Sequence, residues 1–257
     1  MVKWRLALIF SLFFSANVFA VMKVATIDWC PFICPMSLSK PGLLVEYTKE
    51  VFADAPIEIN FDVYPWSRAI KLANEGKVDA LLAPAKNEAP RLLFPDVEIG
   101  IQRFCFFSRQ SDPWQYHNPA SINKRTIIHP RDTLPTPLHQ ENLSADFITY
   151  PYNDAFLPTS TDILLKTDRV DTVMMTYYSM LHFLNEKQLT GQIRLSGCVS
   201  RQKLYLAFTP NKASRPKIEI LMGYYHKNIT KLKRKHYFSQ LLKKYNIKQY
   251  PTANDWK

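Results

Sequence analysis

Two periods of apolar residues recur along the chain and predict its elements in turn. Residues 23–28 (KVATID) form a short apolar-centred run that predicts a strand. A proline-rich loop follows over residues 29–42. From Gly42 onward Leu43, Tyr47 and Val51 recur at helical spacing, so residues 42–55 predict an amphipathic helix. Ile57, Ile59, Phe61 and Val63 alternate with polar residues, the period of a half-buried strand. Ser67 stands as N-cap of a helix that ends at Gly76, and residues 78–84 (VDALLAP) read as a short buried strand. A β-α-β-α-β order of this kind predicts an α/β lobe with a largely parallel sheet.

The theme then repeats. Residues 103–110 (RFCFFSRQ) predict another strand, followed by a stretch rich in Pro, Asn and Ser. Strands are predicted within 125–129, 147–151 and 170–178. Helices are predicted over 159–169, capped by Ser160 or Thr161, and over 178–189, stopped at Gly191. These residues read as a second lobe. Residues 203–210 (KLYLAFTP) return as a strand. Ile218, Leu221, Met222, Tyr225, Ile229 and Leu232, then Phe238, Leu241, Leu242 and Tyr245, predict one long helix or a helical pair. No solenoid-length repeat interrupts this order.

The first 20 residues change the picture of compartment. Lys3 and Arg5 precede the apolar stretch Leu6 to Phe14, and Val18 and Ala20 occupy the positions of a cleavage site. The segment reads as an export signal with the mature chain starting at Val21; its apolar core is short for a membrane anchor. A periplasmic location follows. Export in turn favours disulfides for Cys30, Cys34, Cys105 and Cys198. Four cysteines allow three pairings, and the close pair Cys30/Cys34 fits a structural disulfide better than a metal site.

With 257 residues, 47% hydrophobic and 21% charged, the chain can bury a sizeable core in one large domain or two lobes. Its net charge of +11 is concentrated late: residues 201–257 carry 14 Lys/Arg against Glu219 and Asp255. A solvated helix face accounts for this, with attraction to anionic lipid or an acidic partner as the second reading. An exported chain has no call for a nucleic-acid patch. Nucleophile-elbow, zincin and P-loop patterns are missing from the sequence, and the six His do not cluster at metal-ligand spacing. An enzyme, a bound metal and a cofactor are therefore not expected.

Together these segments resemble the bacterial extracellular solute-binding proteins of family 3. The resemblance is carried by IDWCPF, GLLVEYTKEVF, YPWSRAIKLANEGKVDALLAP, FPDVEIGIQRFCFFSRQ, DILLKTDRVDTVMMTYYSMLHFL, LYLAFTPNK and LLKKYNI. It spans most of residues 22–250 and is weakest over 115–158. It implies the two-lobed periplasmic binding protein type II fold, an α/β architecture in which each lobe is a mixed, mostly parallel sheet flanked by helices. Lobe 1 would comprise residues 21–108 and 200–257, and lobe 2 residues 109–199. The two crossings would act as a hinge and would bring Cys105 beside Cys198, leaving Cys30 to Cys34.

In this fold ligands sit beyond the carboxyl ends of strands. That rule selects Trp29 and Phe32, Trp66 and Arg68, Asn87, His129 and Arg131, and Thr176 and Tyr177 as candidate ligand-binding residues. Each has a plainer role open to it: Trp29, Phe32 and Trp66 as lobe packing, His129 as a structural residue before Pro130. The family's amino-acid binders anchor the α-carboxylate with a Thr and an Arg after the strand matching VDALLAP. Here Arg91 is shifted and follows Pro90. The acidic residue that often holds the α-ammonium is replaced by Thr176, and HPRDTLP stands where lobe 2 of the family starts a helix with Gly-Thr. The expectation is a monomeric binder of a small polar or anionic molecule other than a standard α-amino acid. Its partner would be a membrane transporter or, as the alternative, a membrane sensor or receptor.

Overall fold

The computed structural model describes residues 20–34, 39–131, 133, 135–139, 142–151 and 155–247. The predicted export signal at 1–20 lies outside these except for its last residue.

The first sheet has the order β2-β1-β3-β9. Its strands are β1 (Ala20–Thr26), β2 (Ile57–Val63), β3 (Ala80–Leu82) and β9 (Leu206–Phe208). β1 pairs in parallel with β2 and β3, while β9 returns antiparallel to β3. The second sheet has the order β6-β5-β7-β4-β8. It contains β4 (Gly100–Arg109), β5 (Thr126–Pro130), β6 (Asp146–Tyr150), β7 (Thr172–Thr176) and β8 (Ile193–Leu204). β5 is parallel to β6 and β7; β4 runs antiparallel to β7 and β8. The chain thus enters the second sheet along β4 and leaves it along β8. Cys105 and Cys198 face each other across that pair and are bonded.

Strand alternation sorts the core into layers. Val24, Leu82 and Phe208 point to the side covered by α1 (Leu43–Val51), α5 (Arg215–Arg234) and α6 (Tyr237–Lys244). Ala25, Leu81 and Ala207 point the other way, onto Ala69 and Ala73 of α2 (Trp66–Glu75). In the second sheet Phe107, Ile128 and Val173 face one side, where α3 (Phe156–Lys166) and α4 (Tyr177–Glu186) contribute Leu164 and Leu184. Phe106, Ile127 and Met174 face the other, with Ile122 and Leu138.

Some element ends differ from expectation. Ser67 lies inside α2, whose N-cap is Pro65 without a side-chain cap; Gly76 does end it, at φ 73°. Ser160 and Thr161 also lie inside their helix, where both hydroxyls bond back to the Leu157 carbonyl. The strand expected at 203–210 is divided between β8 and β9. The C-terminal helical stretch is a pair, broken where His236 takes a left-handed φ of 52°.

The basic C-terminal segment is anchored as well as solvated. Lys217 meets Asp79 at 2.7 Å and Lys227 meets Asp54 at 2.6 Å, while Lys244 pairs with Glu46. Glu98 takes Lys233, with Lys203 at 3.4 Å. Burial disfavours the Glu98 carboxylate, but the Lys233 hydrogen bond and its positive neighbours outweigh that and hold its pKa below the usual glutamate range. Lys217, Lys227, Lys233 and Lys244 thereby tie the C-terminal helices to the rest of the first lobe.

Candidate functional site

A cleft of about 410 Å³ lies beyond the carboxyl ends of the parallel strands, walled by residues from both sheets. The first sheet contributes Ile27 and Trp29 after β1, Trp66, Ser67 and Ile70 from α2, and Ala83 and Glu88 after β3. The second contributes Gln102 and Phe104 from β4, Arg131 and Thr133 after β5, and Met175 and Thr176 at the end of β7.

Trp29 owes its position to a tightly held loop. Trp29 and Ile33 exchange two backbone hydrogen bonds of 2.9 Å, and Cys30 is bonded to Cys34 around them. The α1 N-terminus has no side-chain cap; instead the Pro31 and Phe32 carbonyls accept from Leu43 and Leu44 N–H, each at 2.9 Å. Gly42 N–H donates to the Tyr245 hydroxyl at 2.7 Å, and that hydroxyl donates to Glu46 at 2.7 Å. Phe32 fills the space beneath Trp29, with ring centroids 4.4 Å apart.

The cleft floor holds two buried polar atoms that no protein group satisfies among the described residues: Gln102 Oε1 and the Thr176 hydroxyl. The Gln102 amide donates to Gln202, but its carbonyl oxygen stays open. Orphaned buried groups of this kind are costly unless water or a ligand meets them. Glu88 is held at one oxygen, where Ala85 N–H donates at 2.7 Å. It stands open to the cleft yet is crowded by its walls, and that burial pushes its pKa up despite the backbone hydrogen bond. The Arg131 backbone is fixed by Tyr150 O at 2.8 Å, and its exposed guanidinium extends along the wall.

Of the residues singled out in the sequence, Trp29, Trp66, Arg131 and Thr176 line this cleft. The structure places the others elsewhere. Phe32 is fully buried, because the disulfide-bonded turn directs it inward onto Trp29 and Tyr178. Arg68, two residues into α2, is exposed and lies 5.7 Å from the Tyr64 ring. Asn87 is exposed and accepts a 3.5 Å hydrogen bond from Gln202. His129 is buried in β5, with Nδ1 2.8 Å from Pro130 O and its ring edge-on to Phe147. Tyr177 is buried against Tyr178 at the start of α4.

Glu88, Gln102 and Phe104 were not legible as site residues from strand-end counting alone. Gln102 and Phe104 share one face of β4, and a polar residue two places from a half-buried aromatic near a strand start is the signal that marks them. Among the described residues no cluster of His, Cys, Asp or Glu could hold a metal ion, and no helix is long and apolar enough to cross a membrane.

The cleft between two sheets joined by β4 and β8 decides the architecture. The chain has the two-lobed fold of the periplasmic binding proteins. An amino-acid ABC transporter substrate-binding protein from Streptococcus pneumoniae, solved bound to L-arginine, superposes with a TM-score of 0.66 at 15% identity, over 90% of this chain and 97% of that one. A histidine kinase sensor domain similar to periplasmic binding proteins gives 0.65 at 16%, over 88% and 96%. An ancestral amino-acid-binding protein, described as a precursor of cyclohexadienyl dehydratase, gives 0.66 at 14%, over 88% and 95%. No protein-family model and no curated protein matches the sequence. In this two-lobed fold, the candidate cleft of the present chain is the gap between the lobes.

Proposed function

We propose that the protein is an exported solute-binding protein, acting as a monomer in the periplasm after removal of residues 1–20. It captures a small polar or anionic molecule between the two lobes, which the chain joins through β4 and β8, and delivers it to a membrane transporter. The observation that carries this reading is the cleft itself: aromatic walls around the open Gln102 and Thr176 oxygens. The solved structures of this fold reported above are mostly binding proteins, which supports binding rather than catalysis. The likeness to a histidine kinase sensor domain favours one second reading, in which the same closure is presented to a membrane sensor.

Two features of the cleft support a ligand other than a standard α-amino acid. Arg91 is exposed and does not line it, and position 176 offers a neutral hydroxyl. A thermal-shift screen of the mature protein against a metabolite library, including the standard amino acids, tests the proposal. Specific ligands raise the melting temperature by mass action, and Thr176→Val should weaken them about tenfold by removing one hydrogen bond. Standard amino acids should give small shifts or none. A library without any stabilising compound, or hits indifferent to Thr176→Val, would count against the cleft.

A further inference from the structure

The cleft's charges constrain the kind of molecule it takes, given that it is a binding site as proposed above. Among the described residues the lining contains one acid, Glu88, and one base, Arg131. They belong to opposite walls: Glu88 follows β3 of the first sheet, Arg131 follows β5 of the second. Neither is paired within the described protein. Glu88 has a backbone partner on one oxygen only, and the Arg131 guanidinium makes no ion pair or hydrogen bond.

Closing two walls over unpaired charges removes water from both, and an ion left alone in that space costs several kcal/mol. The ligand must therefore supply the countercharges. A simple anion would satisfy Arg131 and leave Glu88 facing it; a simple cation would do the reverse. Only a molecule carrying both charges meets both walls.

The surroundings of each charge agree. On the Arg131 side, Thr176 is the N-cap of α4, so the first backbone N–H groups of that helix adjoin its unsatisfied hydroxyl, which is 2% exposed as a residue. Those donors favour negative charge. On the Glu88 side stand the rings of Trp29 and Trp66, and among the described residues no basic side chain lines that wall. Aromatic faces beside a carboxylate receive a cation. The rise in the Glu88 pKa has burial as its cause and no positive neighbour opposing it, as expected of an acid whose partner arrives with the ligand.

We propose that the ligand is a charge-separated dipolar molecule. Its cationic hydrogen-bond donor sits at Glu88, its anionic group at Arg131 and Thr176, and a flat apolar body lies between them against Trp29, Trp66 and Phe104. An α-amino acid with an uncharged side chain carries its ammonium and carboxylate on one carbon, whereas the cleft holds its acid and its base on opposite walls. This also accounts for the loss of the family-type anchors at positions 91 and 176.

A matched set of probes tests this by calorimetry: 4-(aminomethyl)benzoate, 6-aminohexanoate, benzylamine, 4-methylbenzoate and phenylalanine. The two charge-separated compounds should bind at least tenfold more tightly than either half-molecule or phenylalanine. Glu88→Gln, which keeps an oxygen for the Ala85 N–H, should weaken 4-(aminomethyl)benzoate at least tenfold and leave 4-methylbenzoate unchanged. Arg131→Met should show the converse, sparing benzylamine. Unaltered melting temperatures of the ligand-free variants establish that both fold. Half-molecules that bind as well as the whole, or variants that weaken every probe alike, would overturn the dipolar assignment and leave the binding proposal standing. So would a metabolite hit of single charge with no response from any dipolar probe. Failure of the probes and of the library together would end both.

Discussion

Replacing Gly42 by alanine is expected to destabilise the protein by about 3–5 kcal/mol and to weaken ligand capture with it. Gly42 has φ 115° and ψ 150°, a region essentially closed to residues with a Cβ. A Cβ there would stand 2.5 Å from Phe32 O and 2.6 Å from Ile33 Cα. Those are backbone atoms of the turn that carries Trp29, and they cannot swing aside. Relief requires moving the turn, with the loss of its carbonyl caps on Leu43 and Leu44. Chemical denaturation of Gly42→Ala measures the stability term, and titration with any ligand from the screen measures the functional one. Gly223→Ala is the control: it lies on α5, a Cβ meets nothing within 4 Å, and the exchange should be neutral or stabilising by up to about 1 kcal/mol. Equal behaviour of the two variants would show that the turn is not rigidly seated.

The second large effect is expected from the Cys105–Cys198 disulfide, which closes a loop with a sequence separation of 93 around the whole second sheet. Cross-linking so distant a pair stabilises by about 3 kcal/mol, within the usual 2–4. The joint replacement Cys105→Ala and Cys198→Ala should therefore lower the melting temperature by roughly 6–12 °C, at about 2–4 °C per kcal/mol for a chain of this size. Cys105 is fully buried, so small packing losses add to the effect. Full reduction of the unmodified protein and of the double variant separates the two contributions, because both then lose the Cys30–Cys34 bond and differ only in the side-chain volume at 105 and 198. A melting temperature unmoved by either treatment would mean that the β4–β8 pairing alone holds the sheet.

Local pattern carried much of the fold. The alternation of Ile57, Ile59 and Phe61 appears as β2, and the spacing from Ile218 to Leu232 appears as the buried face of α5. β8 was not legible, because its sequence IRLSGCVSRQKL interleaves Arg, Ser and Gln with few apolar residues. What makes it a strand is its register with β4, a long-range pairing that no window of sequence contains. The helix starts at Ser67 and Ser160 misled for a related reason: a hydroxyl suits a cap and also tolerates a helix interior when it bonds back to a carbonyl, as Ser160 does.

The site was legible where strand ends could be counted and illegible where tertiary geometry chose the side chain. Trp29 and Arg131 follow directly from the ends of β1 and β5. Phe32 shares its loop with Trp29, but the turn sends one ring to the cleft and the other beneath it. Glu88 lies one residue beyond the Asn87 that was singled out, and only the path of the loop after β3 decides which of the two lines the cleft.

The central claim is that two lobes close on a molecule held between them. Small-angle X-ray scattering of the mature protein, alone and saturated with a compound that stabilises it, tests this most directly. A radius of gyration that falls on saturation, with the midpoint of that fall moved to about tenfold higher compound concentration in Thr176→Val, is the predicted result. Stabilisation by the compound with no change in the radius of gyration would contradict it.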